Sequence, residues 1–109
     1  MRVGSKIWLE SAGEKVFGDG PGEMLSKVDA LGSLRQAAQE MNMSYSQAWN
    51  LITALEKRLG FPLLERSWGG SRLTPRARDL LLRYRRFRSK AESALERIFL
   101  EEFLNWQDS

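Results

Sequence analysis

Two short amphipathic helices meeting at a tight corner, a glycine-tipped hairpin directly after them, and a heptad row that runs on without a breaker predict the fold class. That class is mainly α with small β hairpins: a winged helix-turn-helix carrying a long C-terminal dimerisation helix. At 109 residues the chain is one domain, with a modest core and no room for a second. It divides into an N-terminal β-hairpin (1–19), three helices that include the helix-turn-helix (21–60), a wing (61–74) and the long helix (75–104).

Residues 6–10 and 14–17 are β-prone runs either side of Ser11, Ala12 and Gly13, the pattern of a small hairpin. Gly18, Gly20 and Gly22 make a glycine-dense stretch that suggests a phosphate loop. No Lys-Ser/Thr pair follows and no parallel βαβ unit surrounds it, so the stretch reads as a turn. Asp19 or Gly20 then precedes Pro21 at the first position of a helix, where its missing N–H costs nothing. This helix, 21–31, points Met24, Leu25, Val28 and Leu31 inward, and Gly32 closes it.

Ser33 caps the next helix, which carries Leu34, Ala37, Ala38 and Met41 on one side. Asn42 and Met43 interrupt the pattern, and Ser44 caps a further helix that buries Ala48, Ile52, Leu55 and Leu59 before Gly60 ends it. Ala37 and Ala38 are small enough for the two helices to cross closely. The side left outside holds Ser46, Gln47, Asn50 and Thr53, uncharged hydrogen-bonding groups where Glu and Lys would be expected for solubility. Such groups suit base edges in a DNA major groove. The competing reading is an ordinary αα-hairpin whose polar face is merely solvated.

Two extended runs then flank Ser67, Trp68, Gly69, Gly70 and Ser71, which makes a hairpin in the position of a wing. Gly69 and Gly70 permit the turn and let the tip approach a nucleic-acid backbone closely. Arg66 and Arg72 flank that tip, where phosphate or minor-groove contact is expected. Trp68 either packs back under the wing or touches sugar.

Thr74 followed by Pro75 is a helix start. From there to residue 104 is about 45 Å of helix at roughly 1.5 Å per residue. Ala77, Leu80, Tyr84, Phe87, Ala91, Ala94 and Ile98 alternate at spacings of three and four, a heptad seam. Leu95, Phe99, Phe103 and Trp106 widen the apolar surface, and Leu81, Leu82, Leu100 and Leu104 lie outside both rows. So short a chain has little core to cover that area, which predicts a homodimer through this helix, aided by the N-terminal hairpin. The alternative is that the helix folds back on its own domain.

Cysteine and histidine are absent, which excludes a disulfide framework, a thiolate metal site, a cysteine nucleophile and the usual neutral-pH general base. No apolar run reaches membrane-spanning length and the N-terminus lacks a signal-peptide core, so a cytoplasmic, non-enzymatic protein with no cofactor, no metal and no membrane partner is expected. Glu92 with Glu96, and Glu101 with Glu102, read as a solvated helix face and not as an acid/base pair. The net charge of +3 hides an asymmetry. Between Lys57 and Lys90 eleven Lys/Arg stand against Glu65 and Asp79, a local +9 between two acidic flanks, which favours a polyanion.

With these motifs placed, the chain resembles the N-terminal DNA-binding domain of ModE-type molybdate-responsive regulators. The residues that carry the resemblance are Gly32-Ser33-Leu34 with Ala37-Ala38, Ser44-Tyr45 with Ala48-Trp49, Phe17 through Gly20, Gly69-Gly70, and Leu73-Thr74. Leu55-Glu56 and the run from Leu59 to Arg66 also look like LysR-type regulators. The resemblance implies a dimeric winged helix-turn-helix on palindromic double-stranded DNA. It also implies a C-terminal oxyanion-binding domain beyond residue 109, so molybdate or another oxyanion is not expected on this chain. The wing is shorter than the glycine-rich wing of that group.

By matching positions, Ser44, Ser46, Gln47 and Asn50 would face bases, with Thr53 at the margin. Ser33 and Arg35 would hold phosphate at the start of the first motif helix. Trp49 would be mainly a packing residue, and Tyr45 half exposed and able to reach phosphate. The resulting expectation is a sequence-specific, double-stranded-DNA-binding transcriptional regulator, with Arg35, Lys57, Arg66 and Arg72 supplying salt-dependent affinity. The alternative is a protein-interaction module that recruits a partner through its long helix without reading DNA.

Overall fold

The computed structural model describes residues 1–106. Strands β1 (Trp8–Ser11) and β2 (Glu14–Gly18) pair antiparallel and lead into α1 (Asp19–Leu31), α2 (Leu34–Glu40) and α3 (Tyr45–Leu59). A second antiparallel hairpin, β3 (Leu64–Ser67) and β4 (Gly70–Leu73), precedes α4 (Pro75–Phe103). The first hairpin turns on two successive left-handed residues, Ala12 at φ 52° and Gly13 at φ 79°, the backbone signs of the tight turns that match strand twist.

Helix α1 begins at Asp19, two residues before the proline, and that carboxylate sits in the first turn where the helix dipole favours it. Its inner face buries Met24, Leu25 and Val28. Leu31, expected inside, sits at the helix end and stays 37% exposed. Gly32 takes a left-handed φ of 70° and its N–H donates to the Val28 carbonyl, which stops the helix.

The corner between α2 and α3 is made by Asn42 at φ 56°, with Met43 N–H returning to the Ala38 carbonyl at 3.0 Å. Ala37 and Ala38 are buried against the neighbouring helices, and Ala48, Ile52 and Leu55 complete the core from α3. Gly60, at φ 83°, ends α3.

Polar bonds hold the wing to the helices. Leu63 N–H donates to Glu56 Oε2 at 2.6 Å, and Thr74 donates from N to the Leu63 carbonyl and from Oγ1 to the Pro62 carbonyl. Ser71 N–H reaches the Gly32 carbonyl at 2.9 Å, and beside it a Cβ on residue 70 would collide with that same oxygen. Gly70 is therefore glycine because the wing presses on the protein's own backbone, a different reason from the nucleic-acid approach expected of it.

The first three turns of α4 lie in the core through Ala77, Leu81 and Tyr84. This corrects the dimer seam at its N-terminal end. Ala77 and Tyr84 are buried inside their own domain, and Leu80 is half-buried against it. The core uses the row through Leu81, which the heptad had left out. Tyr84 fixes the helix in place: its ring meets Phe17 edge-on at 5.1 Å, and its hydroxyl donates to Asp19 Oδ1 at 2.6 Å. Arg88 reaches the same oxygen at 3.0 Å. Burial first, then the Asp19 hydrogen bond and charge, push the Tyr84 phenol up to about 12. Beyond Tyr84 the helix runs out of the core, which stretches the molecule to 61 × 30 × 22 Å.

Candidate nucleic-acid interface

Once α3 has turned Ala48, Ile52 and Leu55 inward, its opposite side is the outer surface of the domain. Ser44, Ser46, Gln47, Asn50, Thr53 and Lys57 are all exposed there. Their hydrogen bonding separates them. Ser44 Oγ accepts from Gln47 N–H at 3.1 Å while Gln47 Oε1 accepts from Ser44 N–H at 2.9 Å, a reciprocal cap. Thr53 Oγ1 donates to the Trp49 carbonyl at 2.8 Å. Ser46 and Asn50, one helical turn apart, have no such bond among the described residues. Of the five expected base readers, Ser44, Gln47 and Thr53 thus spend hydrogen-bonding capacity on their own helix. The Ser-x-x-Gln spacing was a signal for the cap that a base-reading assignment passed over.

Trp49 is not the packing residue the sequence predicted. It is 52% exposed, on the shoulder of α3 that faces the hollow between the start of α2 and the wing. The core has no place for it because Ala48 and Ile52 already occupy the inward positions. Tyr45, one turn earlier, stacks on it with ring centroids 6.4 Å apart. The Arg35 guanidinium lies 4.3 Å from the Tyr45 ring centre, a cation–aromatic contact. Ser33 closes the same hollow and caps α2 through its Oγ, which accepts from Gln36 N–H.

On the wing, cross-strand partners share a face, so Arg66 goes with Ser71 and Glu65 with Arg72. Arg66, Ser71, Gly69 and Gly70 line the hollow beside Tyr45 and Trp49. Arg72 does not. It pairs with Glu65 at 2.9 Å and lines a different hollow, shared with Pro75, Arg78 and Leu82 of α4. Trp68 at the tip is 103% exposed, so it does not pack back under the wing.

The positive block is also less uniform in space than along the chain. Arg58 pairs with Glu14, Arg78 with Asp29 and Arg88 with both Asp19 and Glu92. Arg83 pairs with Asp79, and Arg85 donates to Ser26 Oγ. Lys57 and Arg66 keep their charge unpaired among the described residues, and both flank the exposed side of α3 or its hollow. Among the described residues no three Asp or Glu side chains stand close enough to share a metal ion, and no helix is long and apolar enough to cross a membrane.

Residues 23–78 match the family described as bacterial regulatory helix-turn-helix protein, lysR family. The match runs from α1 through the wing into the first turn of α4. The chain is similar to the transcriptional regulator ModE of Haemophilus influenzae, 40% identical over 47 residues that make up 43% of this chain and 18% of that protein. It is also similar to the molybdenum transport protein ModE of Azotobacter vinelandii, 32% identical over 87 residues, 75% of this chain and 32% of the relative. It therefore spans a third or less of the length of these curated relatives.

Among solved structures, a CbnR DNA-binding domain in complex with DNA superposes with a TM-score of 0.58 at 28% identity, covering 74% of this chain and 93% of the other. A hydrogen-peroxide-bound C206S mutant of OxyR from Corynebacterium glutamicum superposes with a TM-score of 0.54 at 27% identity, covering 68% of this chain and 23% of the other.

Proposed function

The chain belongs to the bacterial regulatory helix-turn-helix proteins of the lysR family, and from that premise we propose that it binds double-stranded DNA sequence-specifically, as a homodimer on a palindromic operator, to regulate transcription. One observation carries the reading: Ser46 and Asn50 project together from the outer face of α3, clear of the core and without partners among the described residues. An α-helix fits the major groove, and an asparagine there pairs in two-point fashion with the N6 and N7 of adenine. Lys57 and Arg66, with the α2 N-terminus at Ser33, are placed for phosphate and set the register without reading sequence. The outer half of α4 supplies the subunit contact, and two-fold symmetry then spaces the half-sites by about one helical turn or a multiple of it.

Titration of fluorescent fragments, first selected from a random DNA pool, tests this at two salt concentrations. The selected fragments are expected to bind at least about a hundredfold tighter than random DNA, and Asn50→Ala to lose about 1–3 kcal/mol on them while random DNA is bound nearly as before. Equal losses on both kinds of DNA would remove Asn50 from the reading role. The exposed apolar side of α4 also fits a module that recruits another protein without reading DNA. Failure of selection to enrich any sequence would favour that second reading.

A further inference from the structure

The regulator reading leaves Trp49 without a role. It is a large apolar side chain, half in water, on the helix that would enter the DNA. Its ring has an aromatic neighbour, and that neighbour is itself held. Arg35 lies against the face of Tyr45, Tyr45 stacks on Trp49 with an interplanar angle of 26°, and the Trp49 carbonyl is held by the Thr53 hydroxyl. A ring already held against its neighbour in this way costs little further ordering when a ligand meets it. It also lies beside the polar readers, because Trp49 adjoins Asn50 in the chain and comes one turn less one residue after Ser46.

The major groove offers hydrogen-bond donors and acceptors on every base pair, but only one apolar group, the C5 methyl of thymine. An apolar platform at the shoulder of a reading helix therefore has one matching base feature. We propose that Trp49, braced by Tyr45 and Arg35, is a specificity-determining residue that packs on a thymine methyl in each half-site. The proposal rests on the DNA-reading function and adds to it the base class read beside Asn50. Burying a single methyl against an aromatic face is worth about a three- to fivefold change in affinity.

The test replaces thymines of the selected fragment one at a time by deoxyuridine, which removes the methyl and leaves base pairing intact. Wild-type protein is expected to lose about three- to fivefold at one or two thymines per half-site and nothing elsewhere. Trp49→Ala is expected to bind the unmodified fragment more weakly and to show no further loss at those same thymines, whereas Trp49→Phe keeps part of the discrimination. Circular dichroism melting of both variants confirms that they fold. A flat deoxyuridine scan on a fragment that is still selectively bound would overturn the thymine contact and point to sugar or phosphate in its place. Persistence of the same penalty in Trp49→Ala would overturn the assignment to Trp49. If selection enriches no fragment, the DNA-reading function fails and the inference falls with it.

Discussion

At position 70 a single methyl group decides whether the wing can sit where it does. The amide of Ser71 bonds to the Gly32 carbonyl, and any Cβ on residue 70 collides with that oxygen, which is backbone and has little freedom to yield. Gly70→Ala is expected to lower the urea midpoint by the equivalent of more than about 2 kcal/mol. Gly69→Ala, which meets open space and is strained only by its φ of 74°, should cost about 1 kcal/mol. Equal midpoints for the two variants would contradict the collision. Both glycines were legible as a turn, but the reason for the second was not, because its partner belongs to a distant segment. The cap formed by Ser44 and Gln47 was readable from spacing alone. The exposure of Trp49 was not, since a tryptophan in line with Ile52 carries no local sign of which neighbours will be there to cover it. Tyr84 makes a second residue-level prediction. Its phenol is pushed from about 10 up to about 12, so the folded chain holds that proton more tightly than the unfolded chain does. The stability involved is complete below pH 10 and drains away as pH rises towards 12. Tyr84→Phe should remove that alkaline loss of stability, which a series of thermal melts between pH 8 and 12 would reveal.

The helix-turn-helix and its two hairpins were legible as elements because caps, left-handed glycines and apolar spacing all act locally. Phase along α4 was not. Rows through Leu80 and through Leu81 are both apolar at spacings of three and four, and only the position of α1 and Phe17 selects the one containing Leu81. The wing illustrates the same limit, because two arginines flanking a tip look equivalent until strand register puts them on opposite faces. Arg66 stands in the hollow beside α3, and Arg72 is held by Glu65 on the α4 side. Arg66→Ala is therefore expected to reduce the slope of log affinity against log salt by about one, on specific and random DNA alike. Arg72→Ala should change it by less. A larger change for Arg72 would mean that the wing approaches DNA with its other face.

For the molecule as a whole, burial is concentrated at one end. Every buried residue of α4 lies at or before Tyr84, while Phe87, Leu95, Ile98, Leu100 and Phe103 beyond it are exposed, Leu95 and Leu100 in a hollow that Met1, Val3 and Phe99 also line. Large apolar side chains left in water along one helix in this way are the kind of surface that marks an interaction site. Ile98, 47% exposed, lies far from the core, so a charge there leaves the winged domain intact but costs heavily if the residue is covered by a second copy. Ile98→Asp is expected to keep the helical circular dichroism and the melting point of the domain, to sediment as a monomer where the wild type sediments as a dimer, and to lose at least about tenfold in affinity for a two-half-site fragment. Affinity for a single half-site should be unchanged, because α3 and the wing are untouched. If the variant still sediments as a dimer, subunits meet elsewhere; if the wild type is itself monomeric at tens of micromolar, the palindromic mode of binding goes with the dimer, and the exposed side of α4 must serve another partner.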